Sequence, residues 1–101
     1  MNTYIVVGGT SGIGLETTKL LSTNNRIVVI SREKKNIDGL TNVYFYPADI
    51  TKTIDELPNI EGKINGIVYC PGTINLKPLK SLKIEDFQND FEVNLLGAVK
   101  V

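Results

Sequence analysis

Ile5-Val6-Val7-Gly8-Gly9-Thr10-Ser11-Gly12-Ile13-Gly14 is the stretch that decides the fold. An apolar run from Tyr4 to Val7 stops at glycines spaced Gly8-x-x-x-Gly12-x-Gly14, and a helical pattern opens at Ile13. The order is strand, tight turn, helix. A glycine at a strand end lets the chain reverse without a Cβ clash, and the next lets a ligand's oxygens come close to main-chain N–H groups. Gly14 allows the new helix to pack tightly on the strand. The free N–H groups of the helix's first turn, at the positive end of its dipole, then face an anion. A phosphate-bearing nucleotide is the expected ligand, held by Gly8, Thr10, Ser11, Gly12, Ile13 and Gly14. The alternative is a turn that merely joins strand to helix.

Outward from this turn, the chain alternates buried-type strands with helices or loops. Thr3–Val7, Arg26–Ser31, Val43–Tyr46 and Gly66–Cys70 are nearly continuous apolar runs, as strands covered on both faces are. In the first helix Ile13, Thr17, Leu20 and Leu21 fall on one face, expected to be the inner one, with Glu16 and Lys19 outside. Residues 32–42 are mostly polar and contain Asp38-Gly39, which predicts a loop or a single turn. A short helix is expected over Thr53–Leu57, stopped by Pro58. The longest helical pattern carries Ile84, Phe87, Phe91, Leu95 and Ala98, with Ser81 as the expected N-cap, and is still running at Val101. These elements predict an α/β fold with a doubly wound parallel sheet of about four strands in the order 3-2-1-4. A ligand crevice then lies outside the carboxyl ends of the strands. Gly8, Ser31, Asp49 and Gly72 all sit at or just after those ends.

Composition narrows the function classes. Eleven basic and eleven acidic residues cancel without forming a long block of either sign, which argues against a nucleic-acid or membrane-surface partner. No stretch approaches the length of a membrane span. Cys70 is the single cysteine, so no intrachain disulfide can form and a reducing, cytoplasmic location is expected. With no histidine, imidazole proton transfer and most zinc sites are removed, and no metal site is expected. The chain has room for one domain, residues 1–101.

The end of the second strand selects the nucleotide. In dinucleotide folds an acidic residue there hydrogen-bonds the adenosine ribose of NAD, whereas a basic one accommodates the 2′-phosphate of NADP. This chain has Ser31-Arg32, followed by Lys34 and Lys35, and NADP is expected over NAD. Arginine offers a bidentate fork to phosphate and Ser31 a hydroxyl. The alternative is that Arg32 is one more solvated loop charge.

The glycine spacing is neither the Gly-x-Gly-x-x-Gly fingerprint nor a Walker loop, which needs Lys and Ser or Thr where this chain has Leu15-Glu16. It resembles the Thr-Gly-x-x-x-Gly-Ile-Gly motif of the short-chain dehydrogenase/reductase family, with Val7 in the threonine's place. The resemblance implies a Rossmann-like NAD(P)-binding domain and extends to Gly97. It implies that Asp49, with Ile50 beside it, contacts the adenine; the local alternative is that Asp49 caps the short helix expected behind it. Where the family reads Asn-Asn-Ala-Gly this chain has Tyr69-Cys70-Pro71-Gly72, so only Gly72 carries over. Pro71 has no N–H to offer, and Cys70 reads as a buried strand-end thiol rather than a nucleophile. Asn94 in Asn94-Leu95-Leu96-Gly97 resembles the family's Asn-x-x-Gly, whose asparagine sits at a helix distortion and holds a water of the proton relay. It is the one catalytic position of the family matched here.

In that family a Ser and a Tyr-x-x-x-Lys motif perform the chemistry. Tyr4, Tyr44, Tyr46 and Tyr69 are followed four residues later by Gly8, Ala48, Ile50 and Thr73, none of them lysine. Two readings are open. The chain is the amino-terminal part of an NADP-dependent oxidoreductase of carbonyl or alcohol substrates, lacking its carboxyl-terminal catalytic half. Otherwise it is a non-catalytic NADP-binding or interaction module of 101 residues. The central-type composition of Ile67-Val68-Tyr69 and the stripe of Phe87, Phe91 and Leu95 call for further partners, so self-association is expected.

Overall fold

The computed structural model describes residues 1–52, 59–72 and 76–101. Strands β1 (Thr3–Val7), β2 (Arg26–Ser31), β3 (Val43–Pro47) and β4 (Gly66–Tyr69) form one sheet in the order β3-β2-β1-β4. Every pairing is parallel: Ile5 lies opposite Val28 and Val7 opposite Ile30, Val6 opposite Val68, and Ile30 opposite Tyr46. The expected 3-2-1-4 order is the observed one. β3 takes in Pro47, tolerated on an edge strand, and β4 stops one residue early at Tyr69.

Alternation sorts the side chains onto two faces. Ile5, Val7, Val28 and Ile30 join Ile50 on one, and Val6, Ile27 and Val29 join Ile37 on the other. The central strands β1 and β2 are covered on both faces, which is why their runs had to be apolar throughout. Full burial of each such side chain contributes roughly 1.5–3 kcal/mol.

Helix α1 (Gly12–Leu21) covers the second face through Gly14, Leu15, Thr18 and Leu21. Ile13 and Leu20 are instead 82% and 76% exposed, which corrects the expected inner face. The cause is steric. A Cβ on Gly14 would overlap the carbonyl oxygen of Gly8, so α1 is rotated to bring its bare glycine edge against the turn. Thr18, one turn on and fully buried, shares its hydroxyl proton between the carbonyls of Gly14 (2.9 Å) and Gly9 (3.2 Å). Residues 32–42 form a loop without a helix, as Asp38-Gly39 suggested, with Asn36, Gly39 and Asn42 at positive φ. From this loop Ile37 plugs the core, a contact its polar surroundings did not announce.

The last helix covers the first face. It runs as α2 (Ile84–Phe91), a π turn over Glu92–Leu96, and α3 (Gly97–Lys100). Its N-cap is Lys83 rather than the expected Ser81, which closes a short 3₁₀ turn, Leu79–Ser81. Asp86, three residues after Lys83, accepts a 3.0 Å hydrogen bond from the Lys83 N–H and so supplies half a capping box, the Lys83 side chain having no acceptor for the other half. Val93, Gly97 and Val101 meet the sheet, while Ile84, Phe87, Phe91 and Leu95 stay exposed. The helix expected over Thr53–Leu57 lies outside the described residues.

Candidate functional site: a cleft at the carboxyl ends of the strands

The parallel ladders continue one step past the strand ends. Gly8 N–H donates to Ile30 O (2.8 Å), Cys70 N–H to Val7 O (3.0 Å) and Ala48 N–H to Ser31 O (2.9 Å). All four strand ends are thus held level, and the connections leaving them border a cleft of about 700 Å³. That volume suits a nucleotide-sized ligand.

The glycine turn forms one wall. Gly8 and Gly12 have φ of 75° and 55°, the left-handed region that a side chain would strain. A Cβ on Gly8 would also lie 3.2 Å from the Pro71 ring, so the turn admits the loop after β4 only because Gly8 is bare. Ser11, extended at φ −154°, is the N-cap of α1 but makes no side-chain cap bond, and the first turn holds no acidic residue. The N–H groups of Gly12, Ile13 and Gly14 precede the first intrahelical bond, Leu15 N–H to Ser11 O at 3.0 Å. A positive helix end with donors to spare is what an anion requires.

A second wall is the end of β2. The hydroxyls of Thr10 and Ser31 share a hydrogen bond of 3.1 Å, and Asn36 Nδ2 donates to Thr10 O at 3.4 Å, tying the 32–42 loop to the glycine turn. Lys34 is ion-paired with Asp38 and Lys35 with Glu33, both at 3.2 Å. Arg32 makes no ion pair among the described residues, and its exposed guanidinium borders the cleft.

Asp49 and Ile50 border the cleft from the end of β3. Asp49 Oδ1 accepts from Thr51 Oγ1 (2.6 Å) and Thr51 N–H (2.9 Å). These two bonds are the main cause that holds its carboxyl below the ordinary 3.8, helped by Lys52 and Arg32 nearby. Asp49 thus closes a local turn with Thr51 and also lines the cleft, while the helix it was expected to cap lies outside the described residues. Gly72 lines the opposite side with Cys70 and Pro71, and burial pushes the Cys70 thiol up, away from nucleophile chemistry.

Every residue singled out for the nucleotide, Gly8, Thr10, Ser11, Gly12, Ile13, Gly14, Ser31, Arg32, Asp49, Ile50 and Gly72, borders this one cleft. Asn94 does not. It lies in the π turn beyond Gly72, its Oδ1 3.4 Å from where a Gly72 Cβ would stand. Asn89 and Val93 also border the cleft and escaped the sequence reading. The signal was available in Gly97: it lies four residues after Val93 and eight after Asn89, and a glycine inside a helix marks the face of close approach.

The family model described as short chain dehydrogenase matches residues 2–101. An uncharacterised oxidoreductase of Saccharomyces cerevisiae is 28% identical over 98% of this chain and 35% of its own length. The 3-hydroxyacyl-CoA dehydrogenase type-2 of Bos taurus is 31% identical over 96% of this chain and 44% of its own length. This chain thus spans less than half the length of either relative. The X-ray structure of an alcohol dehydrogenase from the archaeon Thermococcus sibiricus, complexed with 5-hydroxy-NADP, superposes with a TM-score of 0.80 over 99% of this chain and 49% of that one. At 20% identity it shares the fold.

Proposed function

This chain belongs to the short-chain dehydrogenase family, and on that premise we propose that it is the nucleotide-binding part of an NADP-dependent oxidoreductase that transfers hydride to or from a carbonyl or alcohol group. The observation that carries this reading is convergence on one cleft of a bare helix N-terminus, two left-handed glycines and an arginine with no ion pair among the described residues. The donors of Gly12, Ile13 and Gly14 would hold the bridging phosphates. Ser31 and Arg32, with Thr10 bonded to Ser31, would hold a 2′-phosphate, and Asp49 with Ile50 the adenine end. Gly72 would let the backbone pass close to the nucleotide. Asn94 would support a water of the proton relay through its main chain. When bound, the nicotinamide supplies the hydride chemistry; these residues bind and orient it.

A soluble cytoplasmic setting and self-association are part of the same reading. Cys70 is a free thiol, which suits a reducing compartment. Among the described residues no helix is long and apolar enough to cross a membrane.

The reading is tested by titrating the chain with NADPH and NADH, following the nucleotide's own fluorescence. NADPH is expected to bind tighter, and equal affinities refute the 2′-phosphate assignment. One observation favours a second reading, a non-catalytic NADP-binding module: no tyrosine in residues 1–101 has a lysine four positions on. The intact mass of the polypeptide from its own cell separates the two. A mass well above 11.1 kDa, with a Tyr-x-x-x-Lys segment in the extension, favours the oxidoreductase, and a mass equal to it favours the module.

A further inference from the structure

The π turn of the last helix raises a question of hydrogen-bond accounting. In an α-helix the Val93 carbonyl would accept from the N–H of Gly97, four residues on. Here the Gly97 N–H bonds to Glu92 O, five residues back, and the carbonyl of Val93 loses its ordinary α-helical donor. A released carbonyl in a half-buried position costs free energy unless another donor takes it up. The donor is the hydroxyl of Tyr69 at the end of β4, 2.5 Å from Val93 O.

We propose that Tyr69 is a positioning residue: its hydroxyl takes up the carbonyl freed by the π turn and so fixes the wide turn that sets Asn94 against Gly72. Three observations support this independently of any ligand. A Cβ on Gly97 would overlap the Tyr69 hydroxyl and stand 2.7 Å from Ile50 Cδ1, so the bare edge of Gly97 is the space the phenol fills. Tyr69 pairs in register with Val7, the residue before Gly8, so the phenol joins the π turn to the strand that carries the glycine turn. Val93, whose carbonyl is held, borders the cleft one helical turn after Asn89.

Without the phenol, the ordinary α-helical bond from Gly97 N–H to Val93 O becomes the better arrangement. Removing the extra residue of the π turn rotates the helix on its carboxyl side by about 100° relative to the helix on its amino side, one residue's worth of helix. That carries Asn94 away from Gly72. Burial raises the Tyr69 phenol above its ordinary 10.0, which keeps it protonated and able to donate through the neutral range. The part of Asn94 in a proton relay rests on the function proposed above; the holding of the turn does not.

The test is nuclear magnetic resonance of the labelled chain, reading couplings across individual hydrogen bonds. The parent chain should show a coupling between Gly97 N and the Glu92 carbonyl carbon and none to that of Val93. In Tyr69→Phe the Glu92 coupling should be lost or move to Val93, with shifted amide signals at Asn94 and Gly72. A Glu92 coupling and an Asn94 amide unchanged in Tyr69→Phe overturn the proposal. If that variant does not fold, the parent alone decides. The Tyr69 hydroxyl proton should exchange at least tenfold more slowly than that of the exposed Tyr44 and show a nuclear Overhauser contact to the Gly97 α protons. A Tyr69 hydroxyl that exchanges as fast as Tyr44's overturns the proposal. A parent chain that binds no NADPH refutes the cofactor reading and leaves these couplings unchanged, so the two fail separately.

Discussion

Arg32→Ala removes the one cation at the end of β2 that makes no ion pair among the described residues. Lys34 and Lys35, each held 3.2 Å from a carboxylate, are poor substitutes for it. A charge-assisted hydrogen bond to a phosphate contributes about 1.5–3 kcal/mol. Arg32 is exposed, and screening by water takes its share to about 1–2 kcal/mol. The expected loss of NADPH affinity is therefore roughly 5–30-fold. NADH, with no 2′-phosphate, should bind the variant as it binds the parent. Arg32→Lys keeps the charge but not the bidentate fork and should fall between the two. Raising the salt above 0.1 M, where the Debye length is about 10 Å, should shrink the difference between parent and variant. The chain has no tryptophan, so the nucleotide's fluorescence can be followed without energy transfer from indole. An Arg32→Ala variant that weakens NADPH and NADH equally, or leaves their ratio untouched, refutes the reasoning.

Gly14→Ala drives a Cβ into a carbonyl oxygen of the backbone, which cannot rotate away as a side chain could; a loss of about 3 kcal/mol is expected in urea unfolding, together with loss of nucleotide binding, and a parent-like midpoint counts against the close approach. Thr51→Ala removes the hydroxyl that donates the shorter of the two hydrogen bonds holding the Asp49 carboxyl low, so a ¹³C titration should show its pKa rising toward the ordinary value. Because the folded pKa of Asp49 lies below the unfolded one, its stabilisation is present above the unfolded pKa and is lost as pH falls through the folded one. Solvent screening keeps this contribution below about 1 kcal/mol, and Thr51→Ala should weaken that acid-side dependence. On the open edge of the sheet Ile67 is 52% exposed, so the parent chain should associate with rising concentration in sedimentation velocity and Ile67→Lys should suppress it. A parent that sediments as a monomer at every concentration contradicts that expectation.

Features legible without the structure were local. β1 and β2 coincide with the predicted limits because each is built on an unbroken apolar run, residues 4–7 and residues 27–30. The loop over 32–42 followed from Asp38-Gly39, and the cleft residues from their places at strand ends, where a doubly wound sheet collects them. Less legible were features set by contacts between distant residues. The inner face of α1 goes to Gly14 and Thr18, which a hydrophobicity pattern ranks below Ile13 and Leu20. The cap of the last helix went to Lys83, a residue with no capping side chain, because Asp86 reaches back to its N–H. Tyr69 read as a departure from the family's asparagine and a weakened site; in the fold its hydroxyl meets Val93, 24 positions away, in a space opened by Gly97.

The sequence by itself determined the strands, their order in the sheet and the edge at which the strand ends and the glycine turn meet around a cleft. Backbone-level rules suffice for these: apolar periodicity, glycine conformation and the handedness of parallel crossovers. Only the tertiary structure decided how α1 is rotated, where the last helix begins and which group takes up the carbonyl its π turn releases. Each of those depends on whether one particular atom fits beside another brought there by the fold, and van der Waals repulsion settles that over tenths of an ångström, which no residue pattern records.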